Sequence, residues 1–383
     1  MHNKTTVNLA VLGAFKVSVG FLFLANAAVS HAAEFEKFFQ VKSDLSYLSN
    51  PGFSDSDKDS AFALKISPEL QMSLNDDLNK YYLNAGVIIN QNSNERVLVD
   101  YVAPNLLGGW NRELAFGKFG LEGKYYEEAS RIEQLQRTGA LTNVENITKR
   151  GSIKALLNID FNASFSLNNN VEYGNIRYSE TTNLNDYELF SGDSKLIYKR
   201  SDKIGIYTQL AYTELSPSGN VIPNSDVTSL VVGGIYTPSD ALTLDANIGA
   251  YDASGRFSDN GIQAAVTAAY SYNRFNTYLT LTRKMAPGGD GVFQMNDFGL
   301  IGGTYEIGEN QSIGSEYFSS KSRPDREVSS FDVTYDSFGV FYSRRYENWT
   351  GRVYVNAIGL DLDGDQRRQH VVGFSLNYEP MKF

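Results

Sequence analysis

The sequence predicts an all-β protein: a transmembrane, antiparallel, up-and-down β-barrel of about 18 strands, with 16 as the alternative count. Three observations carry that expectation. The chain begins with an export signal, it repeats segments that alternate apolar and polar residues, and short links between those segments alternate with long ones.

The export signal comes first. Lys4 and Lys16 precede an apolar run from Val17 to Leu24, continued by Ala25, Ala27, Ala28 and Val29. Small residues follow at Ser30-His31-Ala32-Ala33, then the chain turns polar at Glu34-Phe35-Glu36-Lys37. A basic start, a short apolar core and small residues at its end make a secretory signal peptide. Cleavage is expected after Ala32 or Ala33, leaving one barrel domain over 33–383. The run is shorter than the roughly 20 apolar residues a spanning helix needs, and no later stretch is longer.

Composition agrees. Among 383 residues there are 24 Tyr, 23 Phe and 33 Gly but 9 Pro and no Cys. Without cysteine there is neither a disulfide framework nor a thiolate metal site, and closure of a barrel is another way to stabilise an exported chain. The net charge of −10 excludes a nucleic-acid reading. Helix-forming composition is confined to Glu127–Gln136.

The alternation is clearest in five places. Ala155, Leu157, Ile159, Phe161 and Ala163 alternate with Lys154, Asn158, Asp160 and Asn162. The same pattern recurs at Ile204–Tyr212, Leu242–Ala250, Val353–Ala357 and Val372–Tyr378. Period two gives each strand one apolar and one polar face. A soluble sandwich has that period too, so the links decide. Short ones are read at Asn75–Asn79, Asn168–Asn170, Arg200–Asp202, Pro238–Asp240, Gly308–Asn310 and Glu347–Asn348. Longer polar ones are read at 49–60, 127–150, 215–226, 252–260, 285–295, 320–326 and 362–368. Tight turns at one end and long loops at the other belong to an outer-membrane barrel. The stretch 91–111 reads as two short links or one irregular hairpin. Phe383 supplies a terminal aromatic, after Pro380 has interrupted the strand.

In lipid every backbone polar group must be paired, so the sheet closes with its apolar face outward. The lumen then receives Lys154, Asp160, Glu172, Arg177, Lys195, Gln209, Asp245, Asn247, Arg352 and Asn356, with Tyr207, Tyr251 and Tyr354. So wide a barrel encloses an aqueous path. Aromatics at strand ends (Tyr198, Tyr212, Tyr236, Tyr270, Tyr378) are read as interfacial girdles. The lumen tyrosines, beside amides and charges, suit either sugar contact or a plain pore wall. An inward constriction, if there is one, is expected from 127–150, which carries Arg131, Arg137, Lys149 and Arg150.

Catalysis is not expected. Of three histidines, His2 and His31 lie in or beside the signal peptide, leaving His370 at a loop edge without a nucleophile–base pair. Two acidic clusters, Asp55/Asp57/Asp59 and Asp361/Asp363/Asp365, resemble calcium loops. The second has Gln366 where an EF-hand needs Gly and Val372 where it needs Glu, so solvated loop tips are expected. Gly288-Gly289-Asp290-Gly291 reads as a flexible loop, because no strand-to-helix junction accompanies it. No cofactor is expected.

From Lys154 to Leu215 the residues carry a resemblance. An Arg177-Tyr178-Ser179 strand end, a Leu/Asn/Asp loop and a Leu-x-Tyr strand before a Ser-Asp turn are similar to the β-barrel porin 2 type of outer-membrane barrel, found with exopolysaccharide and capsule export systems. The resemblance implies passage of a polysaccharide, working with a periplasmic export protein. A sugar-specific or general uptake porin, and a structural or adhesive barrel with no open lumen, are the alternatives. The partners implied are outer-membrane lipid and lipopolysaccharide, the barrel assembly machinery and the polysaccharide itself. The location implied is the outer membrane of a Gram-negative cell, reached by the general secretory route.

Overall fold

A computed structural model describes residues 34–54, 59–129, 147–179, 185–218, 223–255, 258–288, 291–323, 332–362 and 364–379. The signal peptide, the C-terminal Phe383 with Pro380, and Asp55, Asp57, Arg131, Arg137 and Asp363 lie outside them. The described residues form eighteen strands. In chain order they are β1 Glu34–Ser49, β2 Ser60–Asn75, β3 Asn79–Asn92, β4 Tyr101–Leu114, β5 Gly117–Ala129 and β6 Ile147–Asp160. Then come β7 Phe165–Tyr178, β8 Tyr187–Ser201, β9 Ile204–Pro217, β10 Ser225–Ser239, β11 Leu242–Ser254 and β12 Asp259–Tyr272. The last six are β13 Phe275–Pro287, β14 Phe293–Gly308, β15 Gln311–Arg323, β16 Val333–Tyr346, β17 Trp349–Leu362 and β18 Asp365–Tyr378.

Each strand pairs antiparallel with its neighbours in sequence, and β1 closes on β18 from Val41↔Tyr378 to Ser49↔His370. Closure leaves no sheet edge through the apolar band, as a membrane demands. The count is therefore 18, not 16. The 91–111 stretch resolves as a link at 93–100 followed by β4, with a tight turn beyond it at Ala115-Phe116.

Register and exposure fix the two faces. Ile153, Ile206, Leu230, Ile248, Ile301 and Val353 are well exposed on the outside, in line with one another across the ladders. Aromatics bracket this band. At the short-turn end Phe165 packs on Tyr198 with ring centroids 4.8 Å apart, and Trp349 on Tyr378 at 4.7 Å. At the long-loop end Tyr47 packs on Phe62 at 5.2 Å. On β8 the upper Phe190 and lower Tyr198 are eight positions apart, roughly 20 Å of height for a strand tilted 35–45°, close to the ~25 Å of a barrel's apolar belt.

Two expectations about links need correction. Asn168–Asn170 is not a turn; it lies inside β7, and the chain reverses at 161–164 instead. There the Asn162 side chain accepts the amides of Ser164 and Phe165, at 2.8 and 3.0 Å, an Asx turn that needs no glycine. Phe161 and Ala163 thus belong to the turn, not to the alternation. The Asn run stays in the strand because Asn169, on the outer face, accepts from Ser194 at 2.9 Å. The loop expected at 362–368 is likewise shorter, since β18 already starts at Asp365. Asp361 accepts the Gly364 amide at 2.7 Å, and Asp365 pairs with Arg367 at 2.6 Å. Both carboxylates serve the turn, and the third of that cluster, Asp363, is not described.

Candidate functional site

The lumen wall is built on a repeated device. Tyr207 on β9 lies across Gly233 on β10, and its hydroxyl donates to Asp245 on β11 at 2.6 Å. Tyr82 crosses Gly109 to reach Glu122 at 2.7 Å, and Tyr354 crosses Gly373 to reach Asp44 at 2.8 Å. Tyr278 crosses Gly302 to Glu316 in the same way. In each case a ring on one strand covers the bare backbone of the next and ties to an acid on the strand after that. A side chain at any of the four glycines would occupy the ring's place, which explains why glycine stands there. Tyr251 makes a shorter version, crossing Gly261 to donate to Asp259 at 2.9 Å.

The lumen is not a plain cylinder. β12 and β13 are paired from Tyr272↔Phe275 up to Ala264↔Arg283 and no further. Above that, β12 stays on β11 as far as Ala253↔Asp259, while β13 and β14 remain paired to Pro287↔Phe293. The upper end of the β13–β14 hairpin thus parts from β12 and turns inward, while β14 stays on β15 as far as Met295↔Arg323. Met285, Phe293 and Met295 have the parity of the outer face, yet they are buried against the lumen side of β7–β11, on Tyr178, Tyr187, Leu215, Val227 and Tyr251. Gly291, at the tip, reaches Pro217 at the top of β9. Each large apolar side chain buried this way contributes ~1.5–3 kcal/mol, so three of them hold the hairpin across the mouth.

The inserted hairpin leaves a cavity on each side. The first, of about 570 Å³, lies between it and β5–β8 and is lined by Lys124, Tyr126, Arg150, Glu172, Lys284, Asn296, Phe298 and Phe318. Its basic groups outnumber the acids that line it, and Lys124 and Arg150 flank the Tyr126 ring at 4.4 and 5.8 Å. Glu128 offsets Arg150 in part, at 3.9 Å. The second, of about 580 Å³, faces β8–β12 and is lined by Ser191, Gln209, Ser229, Asn247 and Gln263 with Arg283, Lys284, Met285 and Phe293. Both cavities carry more basic than acidic groups, and the second also offers a row of amides and hydroxyls.

The lumen-side candidates fall out as follows. Lys154, Lys195, Tyr207, Gln209, Asp245, Asn247, Tyr251, Arg352, Tyr354 and Asn356 have inward parity, and Asp160 sits at the short-turn rim of the same face. Around Tyr207 several meet: Lys195 lies 3.5 Å above its ring, and Asn247 donates to its hydroxyl at 3.0 Å. With Lys195 over one face and Gly233 beneath the other, Tyr207 is wall, not an open sugar platform. Arg352 stacks on Phe341 at 3.7 Å, on the side of the barrel that carries Tyr354. Arg177 is a correction. It pairs with Lys149, above Val171 and Tyr173 on the outer face, because parity counted from those two residues carries it outward. Lys149 is outward too, 3.9 Å from Glu127, so of the basic residues expected in a constriction Arg150 alone is seen in the lumen among the described residues.

Sequence reasoning missed Lys124, Tyr126 and Lys284, and with them the hairpin itself. A signal was present. On β13–β14 the outer row turns charged at Arg283 and Asp297, then apolar again at Met285, Phe293 and Met295. Apolar residues above a charged row have no lipid to face, so they must fold inward. The glycines at 288 and 291 close the tip, with Gly288 donating to Val292 at 2.8 Å and Gly291 at φ +78°, a value glycine accepts without cost.

No family model matches this chain, and no curated protein matches it. Solved structures do. OccK1 (OpdK) of Pseudomonas aeruginosa aligns with a TM-score of 0.52 at 9% identity, over 91% of this chain and 99% of that one. Acinetobacter baumannii OccAB4 gives 0.51 at 9%, over 91% and 98%. The FrpB iron transporter of Neisseria meningitidis gives 0.50 at 7%; 85% of this chain is covered, and it spans 62% of FrpB's length. At such identities the likeness is one of fold. This chain is a closed antiparallel barrel of 18 strands with the architecture of outer-membrane porins.

Proposed function

We propose that this protein is a passive outer-membrane pore that admits hydrophilic, mainly anionic solutes and sorts them at the inserted β13–β14 hairpin. One observation carries the reading: the inserted hairpin bounds a lumenal cavity whose wall presents Lys124, Arg150 and Lys284 against Glu172. Fixed cations in a confined path raise the local concentration of anions and repel cations. The porin architecture of the neighbours supports a pore. Export by cleavage after Ala32 or Ala33, and assembly into the outer membrane of a Gram-negative cell, belong to the same reading.

The resemblance over Lys154–Leu215 favours a more specific solute, an acidic exopolysaccharide on its way out, handed over by a periplasmic export protein. An inward hairpin equally suits an uptake porin, and the basic passage serves either direction. A structural barrel would conduct nothing.

The test is reversal potential and single-channel block in a planar bilayer under a salt gradient. The native channel should prefer anions and be blocked by oligouronides at lower concentration than by neutral oligosaccharides of equal length. In Lys124→Glu combined with Arg150→Glu the reversal potential should change sign. Unchanged selectivity in that variant would remove the proposed filter, and absence of conductance in the native barrel would favour the structural reading.

A further inference from the structure

We propose that the wall between β12 and β13 carries a side opening at the outer edge of the apolar band, and that it binds an amphiphile with a hydroxyl-rich head and an alkyl chain. The inference rests on the barrel fold and not on the pore reading. Its starting point is the ladder. Asp259–Gln263 of β12 remain paired to β11 but have no ladder partner on β13, and Lys284–Pro287 of β13 have none on β12. Four consecutive rungs are therefore missing at this seam.

A cavity lies on each face of the seam next to that break. The lumenal one is the 580 Å³ space behind the hairpin. The outer one, of about 550 Å³, is lined by Val266, Leu281, Gly299 and Tyr317 with Asp297 and Lys321. Both are lined by Ala264, Ala265, Thr282 and Arg283, the last two paired rungs below the break.

The chemistry changes along this route. Inside, Gln209, Asn247 and Gln263 offer amides, and the unpaired backbone of β12 offers further donors and acceptors that need partners. A sugar head supplies hydroxyls that both donate and accept. Outside, Ala264, Val266, Leu281 and Gly299 give an apolar trough continuous with the lipid-facing surface, where Leu281 is 49% exposed. A chain lying there stays in hydrocarbon. Asp297 stands at the mouth, held by Arg323 at 2.9 Å and Arg283 at 3.7 Å. Its Oδ1 is buried and accepts no hydrogen bond, so a head-group hydroxyl would complete it.

The experiment uses the full mature barrel in phospholipid nanodiscs and an octyl glucoside carrying a dansyl group at the chain end. Fluorescence titration should show saturable binding. Ala264→Trp, at the last paired rung and in the lining of both cavities, should weaken it by about tenfold or more, whereas Ala268→Trp, on the same face but further down the paired seam and in neither lining, should leave it as in the native protein. Because Ala264→Trp could impair assembly, Ala264→Cys, in a chain without native cysteine, should bind normally until a bulky maleimide is attached after folding. Partition into the nanodisc without saturation would overturn the proposal. So would equal affinity in native and Ala264→Trp barrels, or equal loss in both Trp variants.

Discussion

The β9–β11 wall and the β13–β14 hairpin start from the same alternating pattern and end in different places. In the wall, β10 pairs with β11 from Asp226↔Ser254 down to Tyr236↔Leu244 without a break, and Tyr207 is pinned flat between Gly233 and Asp245. The outer row of β11 ends in polar Asp252 and Ser254, which can face water, so the strand has no reason to leave the sheet. On the hairpin, the row beyond Arg283 and Asp297 is apolar again, and it buries by bending inward. Alternation makes a strand; what stands above the lipid belt decides whether its end stays in the wall.

The largest effect expected from that difference is on conductance. Replacing 286–294 with a short Gly-Ser link should widen the mouth and raise single-channel conductance several-fold, with loss of anion preference. A milder form, Met285→Ser with Met295→Ser, should produce frequent excursions to the wide state, since it removes most of the apolar anchor while keeping the chain length. A wild-type conductance in the deleted barrel would mean that the hairpin does not lie in the path.

The wall should respond differently. Gly233→Val must displace the Tyr207 ring, and crowding of this kind costs ~1–3 kcal/mol. Gly123→Ala, where an added Cβ meets nothing within 4 Å, should be close to neutral. Urea midpoints of the two barrels, read by heat-modifiable gel mobility, check the contrast. Equal midpoints would show that the tyrosine does not brace the wall.

How far the sequence reached follows from the same comparison. Strand existence, outward parity and the alternation of turns and loops depend on local pattern, so Ile204–Tyr212 and Val372–Tyr378 were placed as the structure has them. Parity holds only when it is kept along one strand. Glu172 and Arg177 are both read as inward, but five residues separate them in β7, so they face opposite sides of the wall. The tyrosines could be put in the lumen, but not their partners. Asp44 meets Tyr354 310 positions away, a contact that depends on barrel closure between β1 and β18. The hairpin's inward path is the least local feature of all, since Met285 and Phe293 find their partners on five other strands.

The smallest expected effect lies at the opposite end of the barrel, in the tight turn between β2 and β3. Asp76 accepts the amides of Leu78 at 3.0 Å and Asn79 at 2.9 Å, and these hydrogen bonds hold its carboxyl below the ordinary value of 3.8. A depressed carboxylate stabilises the fold above its unfolded value and loses that contribution as pH falls through its folded one. The Leu78 and Asn79 amide resonances should therefore shift together on acidification, with a midpoint below 3.8. Asp76→Ala should abolish the transition while conductance stays unchanged. A midpoint at or above the ordinary value would contradict the turn geometry.

The most direct test of the account is a cross-link between the hairpin tip and the far wall. A Cβ built on Gly291 lies 3.4 Å from Pro217 Cβ, close to the spacing a disulfide needs. The chain has no cysteine of its own to interfere. Pro217→Cys with Gly291→Cys should form a disulfide in the folded barrel under mild oxidation, and the locked channel should keep the native conductance with fewer wide-state excursions. Failure of the two thiols to join in a correctly folded barrel, or a conductance that rises on locking, would contradict the inward position of the hairpin on which the filter depends.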